Sequence, residues 1–164
     1  MASWSRVVFR EVRRARRVAI VGIGNPGRGD DAAGTLAARG LREEKIAGVP
    51  KALIISADEV PENFTGVVRA FGPDLVVLVD AASAGRRPGS IGLVDCAAVA
   101  DDDASTHRQP LGRIVRYLEG TMDCRALVLG IEPAAFDRPG LSPAVGRAVR
   151  TVVAVLAKAL SASA

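Results

Sequence analysis

Five short runs of mostly apolar residues, alternating with stretches at helical spacing, set the expected architecture of this chain. Val18-Ala19-Ile20-Val21 and Ile23 contain no polar residue, the pattern of a strand buried on both faces. Ala52 to Ala57 reads as a second strand and Leu75 to Val79 as a third, which ends at Asp80. Ser90 to Asp95 reads as a fourth and Ala126 to Ile131 as a fifth, left by Glu132-Pro133. Helices fall between them. Asp31 to Glu44 is the first, weakened by Gly34 and Gly40 at about 1 kcal/mol each against Ala. Pro61-Glu62-Asn63 opens a second, which runs to about Phe71 and stops at Gly72-Pro73. Ser105 or Thr106 caps a third that carries Leu111, Ile114, Val115 and Leu118, so His107 falls in its first turn. Ser142-Pro143 starts the last, with Val145, Val149, Val152, Val153 and Leu156 as its buried face.

Strands alternating with helices predict an α/β fold, a three-layer α/β/α sandwich. The connection from Ala81 to Gly89 is too short for a parallel crossover. The fourth strand is therefore expected to pair antiparallel with the third, or to lie next to it at an edge. The five-stranded sheet is then mixed and mostly parallel.

At 164 residues the chain fits a single domain, 1–164, with a core large enough to need no staples. Its charge of +4 is unevenly placed: residues 1–17 hold six Arg and one Glu, while the rest is close to neutral. The basicity belongs to one segment, so nucleic-acid binding by the whole domain is not implied. In that segment Trp4, Val8, Val12 and Ala15 recur every fourth residue, with Val7 beside them, and arginines cover the other positions. A basic amphipathic N-terminal helix packed on the domain is expected over 1–17. Cys96 and Cys124 stand alone, without the spacing of a disulfide framework or zinc ribbon. No run approaches the length that spans a bilayer, and no signal-peptide layout occurs, so a cytoplasmic protein is expected.

Candidate chemistry gathers at the loop after the first strand. Gly22, Gly24, Gly27 and Gly29, with Pro26, let the backbone turn sharply before the pair Asp30-Asp31. Open α/β sheets place their sites at such strand exits. If the first and third strands are parallel neighbours, Asp31 and Asp80 share one edge, and His107 can reach it. Two carboxylates and one imidazole would make a three-ligand site for a borderline divalent metal. Ordinary roles compete with this: Asp30 or Asp31 as a helix cap, Asp80 as a partner for a loop amide, His107 as a surface residue. His107 is the sole histidine, which excludes a two-histidine zinc-protease helix, and no G-x-S-x-G elbow is present. GIGNPG lacks the third glycine of a dinucleotide loop and has carboxylates where a pyrophosphate would sit. A metal- or nucleotide-sensing binding module without catalysis stays as the alternative.

These motifs, in this order, resemble the maturation endopeptidases of nickel–iron hydrogenases, most closely the branch acting on energy-converting enzymes. The resemblance is carried by Gly22, Gly24, Asn25, Asp30, Asp31 and Gly34, then by Pro61-Glu62-Asn63 and by LVVLVDA with Asp80. It continues through Pro88-Gly89, STHRQPL with His107, LGIEP with Gly130, Ile131 and Pro133, and the LSPAVGRAV helix start. It covers nearly everything from Val18 to Leu156. It implies a site of Asp31, Asp80 and His107 that recognises nickel already loaded into a hydrogenase large-subunit precursor. The nickel is substrate-borne, and other divalent ions such as cadmium would fit the same ligands. The reaction implied is removal of the precursor's C-terminal extension by a monomeric enzyme. Two departures stand out: Ser56-Ala57-Asp58 replaces the family's Asp-Gly-Gly, and the arginine-rich helix precedes the point where many relatives begin.

Overall fold

A computed structural model describes residues 3–44, 51–58, 64–96 and 109–162. Its helices are α1 (Ser3–Arg14), α2 (Ala33–Glu43), α3 (Thr65–Phe71), α4 (Gln109–Thr121) and α5 (Pro143–Ser161). The strands are β1 (Val18–Gly22), β2 (Ala52–Ser56), β3 (Leu75–Ala81), β4 (Ile91–Leu93) and β5 (Arg125–Ile131). They form one sheet in the order β2-β1-β3-β5-β4, parallel except for β4. The mixed, mostly parallel sandwich expected from the apolar pattern is the fold observed.

The two faces of the sheet bury separate cores. Val18, Ile20, Val77, Val79 and Leu129 pack under α1, α2 and α5, joined by Trp4, Val8, Leu41, Val152 and Leu156. Ala19, Val21, Val76, Leu78 and Val128 pack under α3 and α4, joined by Val68, Leu111 and Leu118. Strands buried on both sides explain why β1 and β3 read as unbroken apolar runs rather than alternating ones. The last helix starts as its sequence dictates. The Ser142 hydroxyl accepts the Val145 N–H at 3.4 Å, and Pro143 occupies the first turn. Gly72 ends α3 in the left-handed conformation, φ 64°.

Three expectations are corrected. First, β4 pairs antiparallel with β5, not with β3: Ile91 lies opposite Ile131 and Leu93 opposite Leu129. The loop after β3 carries the chain across the end of β5. The Ala82 N–H donates to the Ile131 carbonyl at 2.9 Å and the Gly89 N–H to the Glu132 carbonyl at 2.8 Å, so the chain returns on the far side. Second, β3 continues through Asp80, which pairs with Gly130, to Ala81 instead of ending at Asp80. Third, the first helix does not start at Asp31. Gly29–Ala32 forms a 3-10 turn and the α-helix begins at Ala33. The expected helix openings at Pro61-Glu62-Asn63 and at Ser105 or Thr106 lie outside the described residues.

Candidate active site

The ends of β1 and β3 and the start of α2 are pressed together by glycine. Gly22 closes β1 beside Val79 of β3. A methyl group on Gly22 would fall on the carbonyl oxygen of Gly34, and one on Gly34 would fall on the carbonyls of Val79 and Ile23. Only a glycine pair lets α2 approach the strand ends this closely. Gly24, at φ 132°, is crowded in the same way by the Asp31 carbonyl. The Thr35 hydroxyl donates to the Gly24 carbonyl at 2.8 Å and pins the loop from the helix side. The Gly-x-Gly-Asn and Asp-Asp-x-x-Gly spacings are thus two halves of one contact.

Within this frame the two adjacent aspartates do different work. Asp30 is fully buried. Its Oδ2 accepts the N–H groups of Ala134 and Ala135 at 2.8 and 3.0 Å, and its Oδ1 accepts that of Ser142 at 2.6 Å. The Asp30 N–H in turn donates to the Ala135 carbonyl at 3.0 Å. Burial alone would raise its pKa, but the amides from Ser142, Ala134 and Ala135 outweigh that and hold it below the ordinary value. Asp30 therefore clamps the 3-10 turn to the β5–α5 loop.

Asp31, partly exposed, accepts the Asn25 N–H at 3.2 Å. Asp80 emerges at the same edge from β3, with Oδ1 accepting the Ala81 N–H at 2.8 Å. Burial pushes the Asp80 carboxyl up to about 7, the Ala81 amide pulls it down, and the charge of Asp31 adds to the rise. The structure thus brings Asp31 and Asp80 together as like charges, an arrangement that favours a proton or a cation between them. His107 lies outside the described residues. Among the described residues no group of three His, Cys, Asp or Glu side chains is set to hold a metal.

One carboxylate at this edge carries a role that the pattern of the chain did not single out. Glu132 is buried, and its Oε2 accepts the Ala84 N–H at 2.7 Å. Its own N–H donates to the Ser90 carbonyl at 2.9 Å, so residue 132 holds both ends of the 82–90 loop beside Asp80. The available signal was the same as for Asp80, a carboxylate at the exit of a buried strand. Ser56 sits at the end of β2, where its hydroxyl accepts from the Arg42 guanidinium at 2.9 Å. Asp58 adopts a positive φ of 40°, a conformation that favours glycine, and its carbonyl accepts the Gly24 N–H at 3.1 Å. Cys96 and Cys124 are free thiols away from this edge.

The comparisons with known proteins bear on the family and the fold. The family model for HycI, hydrogenase maturation protease, matches residues 35–159. The Hydrogenase 3 maturation protease of Escherichia coli K12 is 33% identical over 135 residues, covering 79% of this chain and 82% of that protein. The crystal structure of the NiFe hydrogenase maturation protease HycI from Thermococcus kodakarensis KOD1 is 31% identical. It superposes with a TM-score of 0.85 over 94% of this chain and 98% of that one. The solution structure of the endopeptidase HycI from Escherichia coli gives a TM-score of 0.73 at 27% identity, over 84% and 87% of the two chains. The sequence match spans well over half of the chain and the fold matches nearly all of it; this chain belongs to the hydrogenase maturation protease family.

Proposed function

We propose that this chain is an endopeptidase that removes the C-terminal extension of a nickel-loaded hydrogenase large-subunit precursor. In this reading Asp31, Asp80 and His107 recognise the nickel, which arrives with the substrate. The observation that carries the proposal is the meeting of Asp31 and Asp80 at one edge of the sheet, in a chain of this family. Carboxylate and imidazole donors suit a borderline divalent ion. A cation delivered between the two carboxylates relieves their repulsion and displaces the proton that burial and Asp31 favour on Asp80. Such a site tests whether the precursor holds its metal before the chain is cut. The space beside Gly22 and Gly24 is taken by the backbone at Gly34 and Asp31, so these glycines build the frame that carries the site. The enzyme works as a cytoplasmic monomer, and cadmium serves as a probe ion for the same ligands.

Mass spectrometry of a nickel-loaded precursor after incubation tests the reading. The precursor is expected to lose its C-terminal extension. Asp31→Ala, Asp80→Ala and His107→Ala are each expected to abolish the loss while circular dichroism stays native. Normal processing by all three variants would overturn the site assignment. An unchanged precursor mass with the wild-type protein would leave a metal-sensing binder in place of a protease. Cleavage of peptides without nickel would point to a general hydrolase.

A further inference from the structure

A second surface, on the outer face of the α1/α2/α5 layer, has features that the cleavage site does not use. Between α1 and α5 lies an open groove of about 560 Å³ whose floor is Phe9, Ala154 and Val155. Arg147, Arg150 and Lys158 line its α5 side. On the α1 side Arg13 lies over the Phe9 ring, 5.8 Å from its centroid. Arg147, Arg150 and Lys158 are exposed, and among the described residues none of them pairs with an acidic group. The groove also runs away from the site along a rigid element. Ser142, whose N–H is held by Asp30, precedes α5. At about 1.5 Å per residue, Arg147 stands roughly 7 Å and Lys158 roughly 24 Å beyond it along the helix.

We propose that this groove is a second docking surface for the protein substrate, receiving an acidic segment of the precursor that presents an apolar face. The inference rests on the function proposed above. Charge complementarity selects the segment's sign: three unpaired cations beside an apolar strip favour carboxylates flanking buried side chains. The shape argues against a bilayer, because the apolar atoms form a floor between arginine side chains instead of a protruding face that could enter lipid. The apolar floor also argues against nucleic acid, whose binding is carried by phosphate contacts. A second copy placed symmetrically on the groove would set cations against cations. A protease that must meet a large folded partner gains orientation from a contact of this kind, set back from the reacting centre along α5.

The test is a triple charge reversal, Arg147→Glu, Arg150→Glu and Lys158→Glu, with Val155→Ser as a floor variant that keeps every charge. Arg147, Arg150 and Lys158 are exposed and Val155 is partly buried against the core, so thermal melts check that each variant folds. Binding to the unprocessed nickel-loaded precursor is measured by surface plasmon resonance at low and high salt, alongside processing kinetics. The triple variant is expected to bind about tenfold or more weakly at low salt, with the gap closing at high salt. Its KM should rise while kcat stays within about twofold of wild type. Val155→Ser should weaken binding at both salt concentrations. Wild-type affinity in the triple variant overturns the proposal. So does unchanged precursor binding together with lost binding to phosphatidylglycerol vesicles, which would assign the groove to a membrane, or with loss of a wild-type dimer, which would assign it to a second copy. If the wild-type protein binds the precursor but never shortens it, the protease reading fails, and the binding arm still decides the docking surface.

Discussion

Two adjacent carboxylates in this chain differ in everything but their side-chain chemistry. Asp30 gives up all contact with water and is repaid by three main-chain amides; Asp31 keeps part of its surface exposed and accepts a single long hydrogen bond. An asparagine at position 30 offers one acceptor oxygen where the loop presents three N–H groups, and its amide must point at a donor. Asp30→Asn is therefore expected to lower the unfolding free energy by about 2–4 kcal/mol. Asp31→Asn, by contrast, should stay within about 1 kcal/mol of wild type. Urea unfolding of both variants checks this; equal losses would show that the division of labour is wrong. The sequence makes the pair conspicuous and favours Asp31 as the ligand, with Asp30 capping or bracing the loop. What it does not reveal is the partner of that brace, the β5–α5 loop more than a hundred residues away, which no local pattern around position 30 can show.

At the scale of elements, the contact between β1 and α2 explains why glycines sit where helix propensity argues against them. Gly34 weakens α2 intrinsically by about 1 kcal/mol relative to Ala, as its sequence implies. The structure shows the compensation: its missing side chain is the space taken by the carbonyls of Val79 and Ile23. Gly34→Ala should thus destabilise the protein by about 3 kcal/mol or more despite a better helix former, because backbone rather than a flexible side chain must move. Gly66, in α3, has nothing within 4 Å of where its Cβ would be, so Gly66→Ala should instead stabilise by about 0.5–1 kcal/mol. Thermal melts of the two variants should move in opposite directions, and a shift of the same sign in both would refute the packing argument. Element type was legible from apolar spacing and stop signals throughout the described chain. The partner of β4 was not. Chain order and loop length limited it to an antiparallel edge, but β5, which comes later in the sequence, takes the place beside β3.

For the whole molecule, the arginine-rich first helix is held to the sandwich by apolar packing and by one buried charge. Trp4, Val8 and Val12 enter the core shared with α5. Glu11, on the same face, receives Arg125 at the start of β5 at 2.7 Å and Arg10 at 2.9 Å. Burial by itself would raise the Glu11 pKa, but the hydrogen bonds and charges of the two arginines hold it below the ordinary glutamate value. A carboxylate whose pKa is depressed in the folded state adds stability at pH values above its unfolded pKa, near 4.3. That contribution is lost as the pH falls from there through the lower folded value. Glu11→Gln should therefore cost about 1–2 kcal/mol at pH 7, since an amide cannot replace a charge-assisted bond to Arg125. The difference between wild type and variant should shrink progressively once the pH drops below about 4.3, because protonation removes from the wild type what the substitution has already removed. Urea unfolding of both proteins at pH 7, 5 and 3.5 measures this directly. A difference that stays constant from pH 7 to 3.5 would mean that α1 is held by its apolar face alone, and that the alignment of Glu11 with Arg125 follows from helix packing without contributing to it.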